Sequence, residues 1–208
     1  MSDLLQQSYD ECKRLNALHG KTYYLATLLL PASKRPPVHA LYGFARYADE
    51  IVDDLASTLS PQEKADALRT WGDSVLADLR NGTSEDLIGR ALVHTVQKYS
   101  IPLNYFDAFM KSMEMDLTVT RYANYEELMT YVYGSAVVIG LEMLPILGYS
   151  YSRAIEAATA LGTAFQLANF IRDIGEDIDR GRIYMPLDEL ARFGVSEEML
   201  LKRQMTPE

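Results

Sequence analysis

Apolar residues recur at helical spacing along this chain, and long period-two runs of β-branched residues are absent. That pattern points to an all-α fold. Two acidic stretches lie within it, Asp49-Glu50-Ile51-Val52-Asp53-Asp54 and Asn169-Phe170-Ile171-Arg172-Asp173-Ile174-Gly175-Glu176-Asp177. Each contains Asp-x-x-x-Asp, a spacing that puts both carboxylates on one side of a helix, about one turn apart. Like charges so placed repel unless a cation lies between them. One such pair fits a solvated helix face. Two, both set in apolar helical sequence, fit a pair of carboxylate platforms around a shared Mg²⁺–diphosphate site.

The helix boundaries can be read from their caps. Pro36 and Pro37 suit the start of a helix running to about Ala56. Ser60-Pro61-Gln62-Glu63 reads as a capping box, and that helix should end near Asn81-Gly82. Further helices are expected at about 85–99, 103–120, 125–147 and 151–179, with Asn124 or Ser150 as caps of the last two and Gly148 ending the first of those. The connections are short and no linker stands out, so residues 1–208 are expected to form a single all-α domain.

Helical angles sort the acids. On the first helix Leu41, Phe44, Ala45, Ala48, Val52 and Leu55 share an apolar face, while Tyr42, Arg46, Asp49 and Asp53 form a neighbouring stripe. Glu50 and Asp54 lie further round, so Asp49 pairs with Asp53 and not with Asp54. On the second, Gly162, Gln166, Asn169, Asp173 and Asp177 form one column. Leu167, Ile171, Ile174 and Ile178 lie beyond it and are expected in the core. Such a helix suits a wall between core and polar cavity.

Other chemistries find little support. The net charge of −9 argues against nucleic acid as a partner. His19, His39 and His94 are scattered and Cys12 is alone, so nothing favours zinc. There is no P-loop, Gly-rich dinucleotide fingerprint or nucleophile elbow. The lone cysteine fits a reducing compartment. The N-terminus lacks a basic region and a long apolar core, so it does not read as a signal peptide. The longest apolar stretch, near 136–148, is broken by Glu142 and Pro145 and falls short of the roughly 18 residues of a spanning helix. A soluble cytoplasmic protein, at most peripheral to a membrane, is expected.

Several runs, in order, resemble the squalene/phytoene synthase family, most of all its bacterial phytoene synthases. These are His19-Gly20-Lys21-Thr22-Tyr23-Tyr24, Ala40-Leu41-Tyr42-Gly43-Phe44-Ala45-Arg46 and the first acidic motif, and Met113-Glu114-Met115-Asp116 ahead of Arg121-Tyr122. Tyr131-Val132-Tyr133-Gly134-Ser135 follows, then Phe165-Gln166-Leu167-Ala168-Asn169 through Asp177 to Arg180-Gly181-Arg182-Ile183-Tyr184. The resemblance implies an isoprenoid-synthase helical bundle around a central cavity. Family members continue past the equivalent of Glu208 in helices that complete the cavity wall, so it also implies a bundle missing its C-terminal helices.

The same resemblance implies head-to-head condensation of two geranylgeranyl diphosphates through a cyclopropyl diphosphate to phytoene. The alternatives are a squalene- or dehydrosqualene-type synthase using farnesyl diphosphate, and a non-catalytic assembly-factor relative. Asp49, Asp53, Asn169, Asp173 and Asp177 would carry Mg²⁺, or Mn²⁺ in its place, and NADPH would be needed only by a squalene-type member. Tyr131 would steady a cation or the diphosphate. His19, Lys21, Tyr42, Arg46, Gln166, Asn169 and Arg172 would bind substrate, with Arg180 and Arg182 as further diphosphate partners. Arg46 could instead neutralise its neighbouring carboxylates, and Tyr42 could merely pack. Tyr131, Gly134, Ser135, Val138 and Glu142 share a face on which small residues leave room either for a prenyl chain or for close helix contact. Val137 stands where many family members have a smaller residue, which would narrow the tunnel or mark a subfamily.

Overall fold

A computed structural model describes residues 3–53 and 59–203, apart from the side chains of Asp53 and Pro61. Eleven α-helices are described: α1 (Asp3–His19), α2 (Lys21–Leu28), α3 (Arg35–Asp53), α4 (Pro61–Asn81), α5 (Leu87–Tyr99), α6 (Leu103–Thr118), α7 (Tyr125–Val132), α8 (Val138–Leu147), α9 (Ser152–Asp179), α10 (Leu187–Arg192) and α11 (Glu197–Leu201). Among the described residues there is no strand, only an isolated bridge between Arg121 and Ile183. The far end of the first acidic helix, with Asp54 and Leu55, lies outside the described residues.

The caps act as local rules dictate. Ser60 and Glu63 close a reciprocal capping box at the start of α4, and Asn124 accepts from Glu127 N at 2.9 Å to open α7. Gly82 and Gly148 end α4 and α8 in the left-handed region, at φ 76° and 95°. Ser150 is not a cap: α9 starts at Ser152, and its N-cap position is Tyr151, which makes no side-chain cap bond.

α3 forms the hub. It packs against α1, α4, α5, α6 and α8, and its apolar face turns inside: Leu41, Phe44, Ala48 and Val52 are buried and Ala45 is partly buried against them. Phe44 meets Trp71, Phe106 and Phe109 at ring separations of 5.0–5.5 Å. Full burial of each large apolar side chain contributes roughly 1.5–3 kcal/mol. On the α1 side, Tyr9 Oη lies 2.7 Å from His94 Nδ1 and 2.9 Å from Thr95 Oγ1, satisfying polar atoms that burial would otherwise strand.

The stretch expected as one helix over 125–147 is continuous but not uniform. Tyr133–Val137 widens into a π-helical turn between α7 and α8. That turn changes which residues share a face. Gly134 presses against α6, where a methyl group would overlap the Ala108 carbonyl and Ser112 Oγ, while Ser135 faces a cavity. The small residue at Gly134 therefore serves helix contact. Val137 is buried with its Cα against Gly162 and does not line the cavity. The whole stretch, Tyr125–Leu147, is long and apolar enough by length and composition to cross a membrane, contrary to the reading of its uncharged core alone. Here it packs between α6 and α9.

α9 leans on α8 and the π turn. Its polar column is the inward side, with Gly162 against the Ala136–Val137 backbone and Phe170 fully buried. Ile171, expected in the core, is 67% exposed, and Leu167, Ile174 and Ile178 are half-buried. The reason is geometric. The column of Gln166, Asn169, Asp173 and Asp177 already occupies the face turned to the bundle, so residues about 120° round from it point outward.

Candidate functional site

Five parts of the fold meet around a cavity of about 290 Å³. α3 contributes Asp49, α6 contributes Met113 and Asp116, and the α7–π junction contributes Tyr131 and Ser135. α9 contributes Gln166, Asn169, Phe170, Asp173 and Asp177, and the segment after it Arg180, Arg182 and Tyr184. That last segment is tied in place by backbone bonds: Ile183 N donates to Thr120 O at 3.0 Å and Leu187 N to Tyr122 O at 3.0 Å. The cavity thus has an acidic wall, two arginines and an aromatic end.

Both acidic motifs reach it. Asp49 lines one side and pairs with Arg46 at 3.2 Å, one turn back on the same helix. Asp173 and Asp177 line the other. Asp173 takes two bonds from Arg172, both 2.7 Å, and that guanidinium holds its carboxyl below the usual range. Asp177 is pushed the other way, chiefly by desolvation and then by the charge of Asp173, with Arg180 and Arg182 pulling back. One turn apart, the two acids shift oppositely because the hydrogen bonds from Arg172 dominate at Asp173 and desolvation dominates at Asp177. Asn169 donates to Gln166 Oε1 at 3.4 Å, and Gln166 Nε2 sits 3.5 Å from Ser135 Oγ, so the amide pair spans the floor between α9 and the π turn.

Asp53 is in α3, but its side chain lies outside the described residues. Of the expected substrate and diphosphate contacts, Gln166, Asn169, Arg180 and Arg182 line the cavity. Tyr42 and Arg46 sit beside Asp49; desolvation raises the Tyr42 phenol, and Asp49 adds to that. Arg46 Nε is buried without a partner among the described residues. His19 and Lys21 are exposed at the α1–α2 junction and do not line the cavity. Arg172 is exposed and turned onto its neighbour Asp173. Among the described residues, no three His, Cys, Asp or Glu groups come close enough to hold a metal ion by themselves.

The aromatic end was legible only in part. Tyr131 and Tyr184 stack with ring centres 5.4 Å apart, Phe170 lies 4.4 Å from Tyr184 and nearly parallel, and Tyr122 stacks behind at 5.9 Å. Both Tyr131 and Tyr184 donate to Asp116, at 2.9 and 2.8 Å. Sequence reasoning gave Asp116, Tyr184 and Phe170 no role. Asp116 shares its helix with Met113, and both line the cavity; that i,i+3 spacing was the available signal.

Comparison with known proteins places this geometry. The squalene/phytoene synthase family profile matches residues 17–208. The chain is 40% identical over 210 residues to phytoene synthase 2, chloroplastic, of Solanum lycopersicum, covering 98% of this chain and 66% of that protein. It is 38% identical to phytoene synthase 1, chloroplastic, of Arabidopsis thaliana, covering 98% of this chain and 49% of that one. Among solved structures, squalene synthase HpnC from Alicyclobacillus acidocaldarius superimposes with TM-score 0.90 at 26% identity, over 100% of this chain and 76% of that chain. A dehydrosqualene synthase gives 0.86 at 28%, over 98% and 69%. The chain therefore spans less than two-thirds of the length of these two phytoene synthases.

Proposed function

The chain belongs to the squalene/phytoene synthase family, and from that premise we propose that it joins two geranylgeranyl diphosphates head to head to give phytoene. One observation carries the reading: the two acidic motifs face one cavity that also holds an aromatic wall. The chemistry needs both, one end for diphosphate and one for the cation its departure leaves.

The acidic end fits a divalent ion bound jointly with substrate. No described cluster would hold one alone, yet Asp177 is lifted by burial and then by the charge of Asp173, both of which a bound cation would offset. Asp49, Asn169, Asp173 and Asp177 would hold Mg²⁺, with Asp53 expected to join them. Each ion would take one or two carboxylates and complete its shell with phosphate oxygens. When bound, Mg²⁺ supplies Lewis-acid neutralisation of the leaving diphosphate. Arg180 and Arg182 add fixed positive charge on the same side.

At the other end Phe170, Tyr131 and Tyr184 line the cavity as a stacked aromatic wall, and aromatic rings attract a nearby cation. There the allylic cation left by the first diphosphate would meet the double bond of the second chain, and loss of a proton from the resulting cation would close the ring of the cyclopropylcarbinyl diphosphate. A second ionisation, rearrangement and proton loss complete phytoene.

A second reading is farnesyl diphosphate as substrate, favoured by the likeness to a squalene synthase and a dehydrosqualene synthase; a squalene product would also require NADPH. Parallel incubation with each diphosphate and Mg²⁺, followed by lipid extraction and mass spectrometry, separates the two. Phytoene from geranylgeranyl diphosphate supports the first reading, and product from farnesyl diphosphate alone contradicts it.

A further inference from the structure

Two phenols and one carboxylate meet where the aromatic wall closes the cavity. The Tyr131 hydroxyl donates to Asp116 Oδ2 at 2.9 Å and the Tyr184 hydroxyl donates to Oδ1 at 2.8 Å. Each carboxylate oxygen thus takes one phenol. The arrangement is held from several directions. Ser112, one helical turn before Asp116, donates to the Tyr131 carbonyl at 2.9 Å, fixing α6 to α7. Arg182 donates to the Asp116 carbonyl at 2.9 Å, fixing the segment that carries Tyr184. All three polar side chains line the cavity.

A phenol has one proton to give and two lone pairs to offer. A carboxylate has no proton, so a hydrogen bond between the two must use the phenol's. Burial first, and then the charge of Asp116, keep both phenols protonated well above their ordinary range. Neither hydroxyl is therefore a phenolate, and neither has a second proton for another partner.

The geometry points to Asp116 as a positioning residue: by taking the proton of both phenols, it turns Tyr131 and Tyr184 into oxygen acceptors that face a carbocation, not donors that bind diphosphate. This rests on the condensation proposed above. It assigns the two ends of the cavity separate tasks, with phosphate oxygens on the arginine and acid side and developing positive charge at the phenol oxygens. Pre-set acceptors aimed where charge develops need no reorganisation when the cation forms.

Asp116→Asn is the informative change. An amide offers one acceptor oxygen and one N–H donor in the same shape. One phenol keeps its bond, while the other must accept from the amide and turn its own proton away from residue 116, toward the cavity or the neighbouring phenol. Either way the pair offers the cavity one acceptor fewer.

The test uses two probes that need no turnover, a tertiary ammonium carrying a farnesyl chain and inorganic pyrophosphate with Mg²⁺, each titrated calorimetrically into wild type and Asp116→Asn. The ammonium should bind about tenfold more weakly to the variant, with pyrophosphate binding unchanged within about twofold. In parallel, ¹³Cζ-tyrosine NMR should show the Tyr131 and Tyr184 signals moving, while that of Tyr9, bound to His94 and Thr95, stays put.

Equal weakening of both probes, no change in either, or unmoved Tyr131 and Tyr184 signals would overturn the assignment. If Asp116→Asn does not fold, Tyr184→Phe replaces it. That variant should lose ammonium affinity selectively, and an unaltered or unselective response would again overturn the assignment. A wild-type protein that shows the selective pattern yet forms no prenyl product would sink the condensation reading and leave the Asp116 arrangement standing. A wild type that binds neither probe contradicts both.

Discussion

Asp173 and Glu142 carry the sharpest consequences of single side chains. Asp173 faces the cavity and is held by Arg172 from the solvent side, so an amide there keeps the shape and removes the charge. Asp173→Asn should lower turnover by at least about a hundredfold with an unchanged circular dichroism spectrum; near-normal turnover would remove α9 from the proposed metal site. Glu142 is buried in α8, its Oε1 unpartnered among the described residues, and desolvation pushes its carboxyl up to about 8 from an ordinary 4.5. In the unfolded chain the group ionises near 4.5, while the folded protein keeps the proton to about 8, so the unfolded state binds fewer protons between those values. The contribution of Glu142 to stability therefore falls as pH rises through that window. Glu142→Gln should gain stability over wild type, by an amount near zero at about pH 4.5 that grows toward pH 8. Thermal melts at both ends of the window check this, and a pH-independent difference would contradict it.

Among the elements, α3 and α9 show what sequence can and cannot give. The α3 stripe is legible because its apolar face is wide and every predicted position that is described goes inward, from Leu41 to Val52. On α9 the same arithmetic correctly grouped Gln166, Asn169, Asp173 and Asp177, yet sent Ile171 to the core. Periodicity says which residues share a face, not which face meets the bundle; that is settled by Gly162 seating against the π turn. The π turn was itself hidden, because one extra residue per turn leaves no mark in composition. Two tests belong here. Ile171→Ser should shift unfolding by less than about 0.5 kcal/mol, as for a surface site, in denaturant titration; a loss of several kcal/mol would restore Ile171 to the core. Gly134→Ala should destabilise by about 1–3 kcal/mol, since its methyl group has only the Ala108 carbonyl and Ser112 to displace; a neutral effect would contradict that close approach.

Across the whole molecule, charge and shape divide the work. The bundle places two acidic motifs that are more than a hundred residues apart in sequence on one cavity, and no local rule brings them there. The acids were readable from spacing, whereas the Asp116–Tyr131–Tyr184 cluster was not, because it assembles from α6, α7 and the segment after α9. Apolar side chains also remain on the outside, notably Tyr23 of α2, Leu29 just after it, and Phe165 and Ile171 of α9. The central claim is that the acids facing this cavity work through a divalent ion to release diphosphate. The most direct measurement is phytoene formation from geranylgeranyl diphosphate with Mg²⁺, after EDTA, and after Mg²⁺ is restored. The account predicts product, loss of product and recovery in that order. Product formation undiminished by EDTA would contradict it.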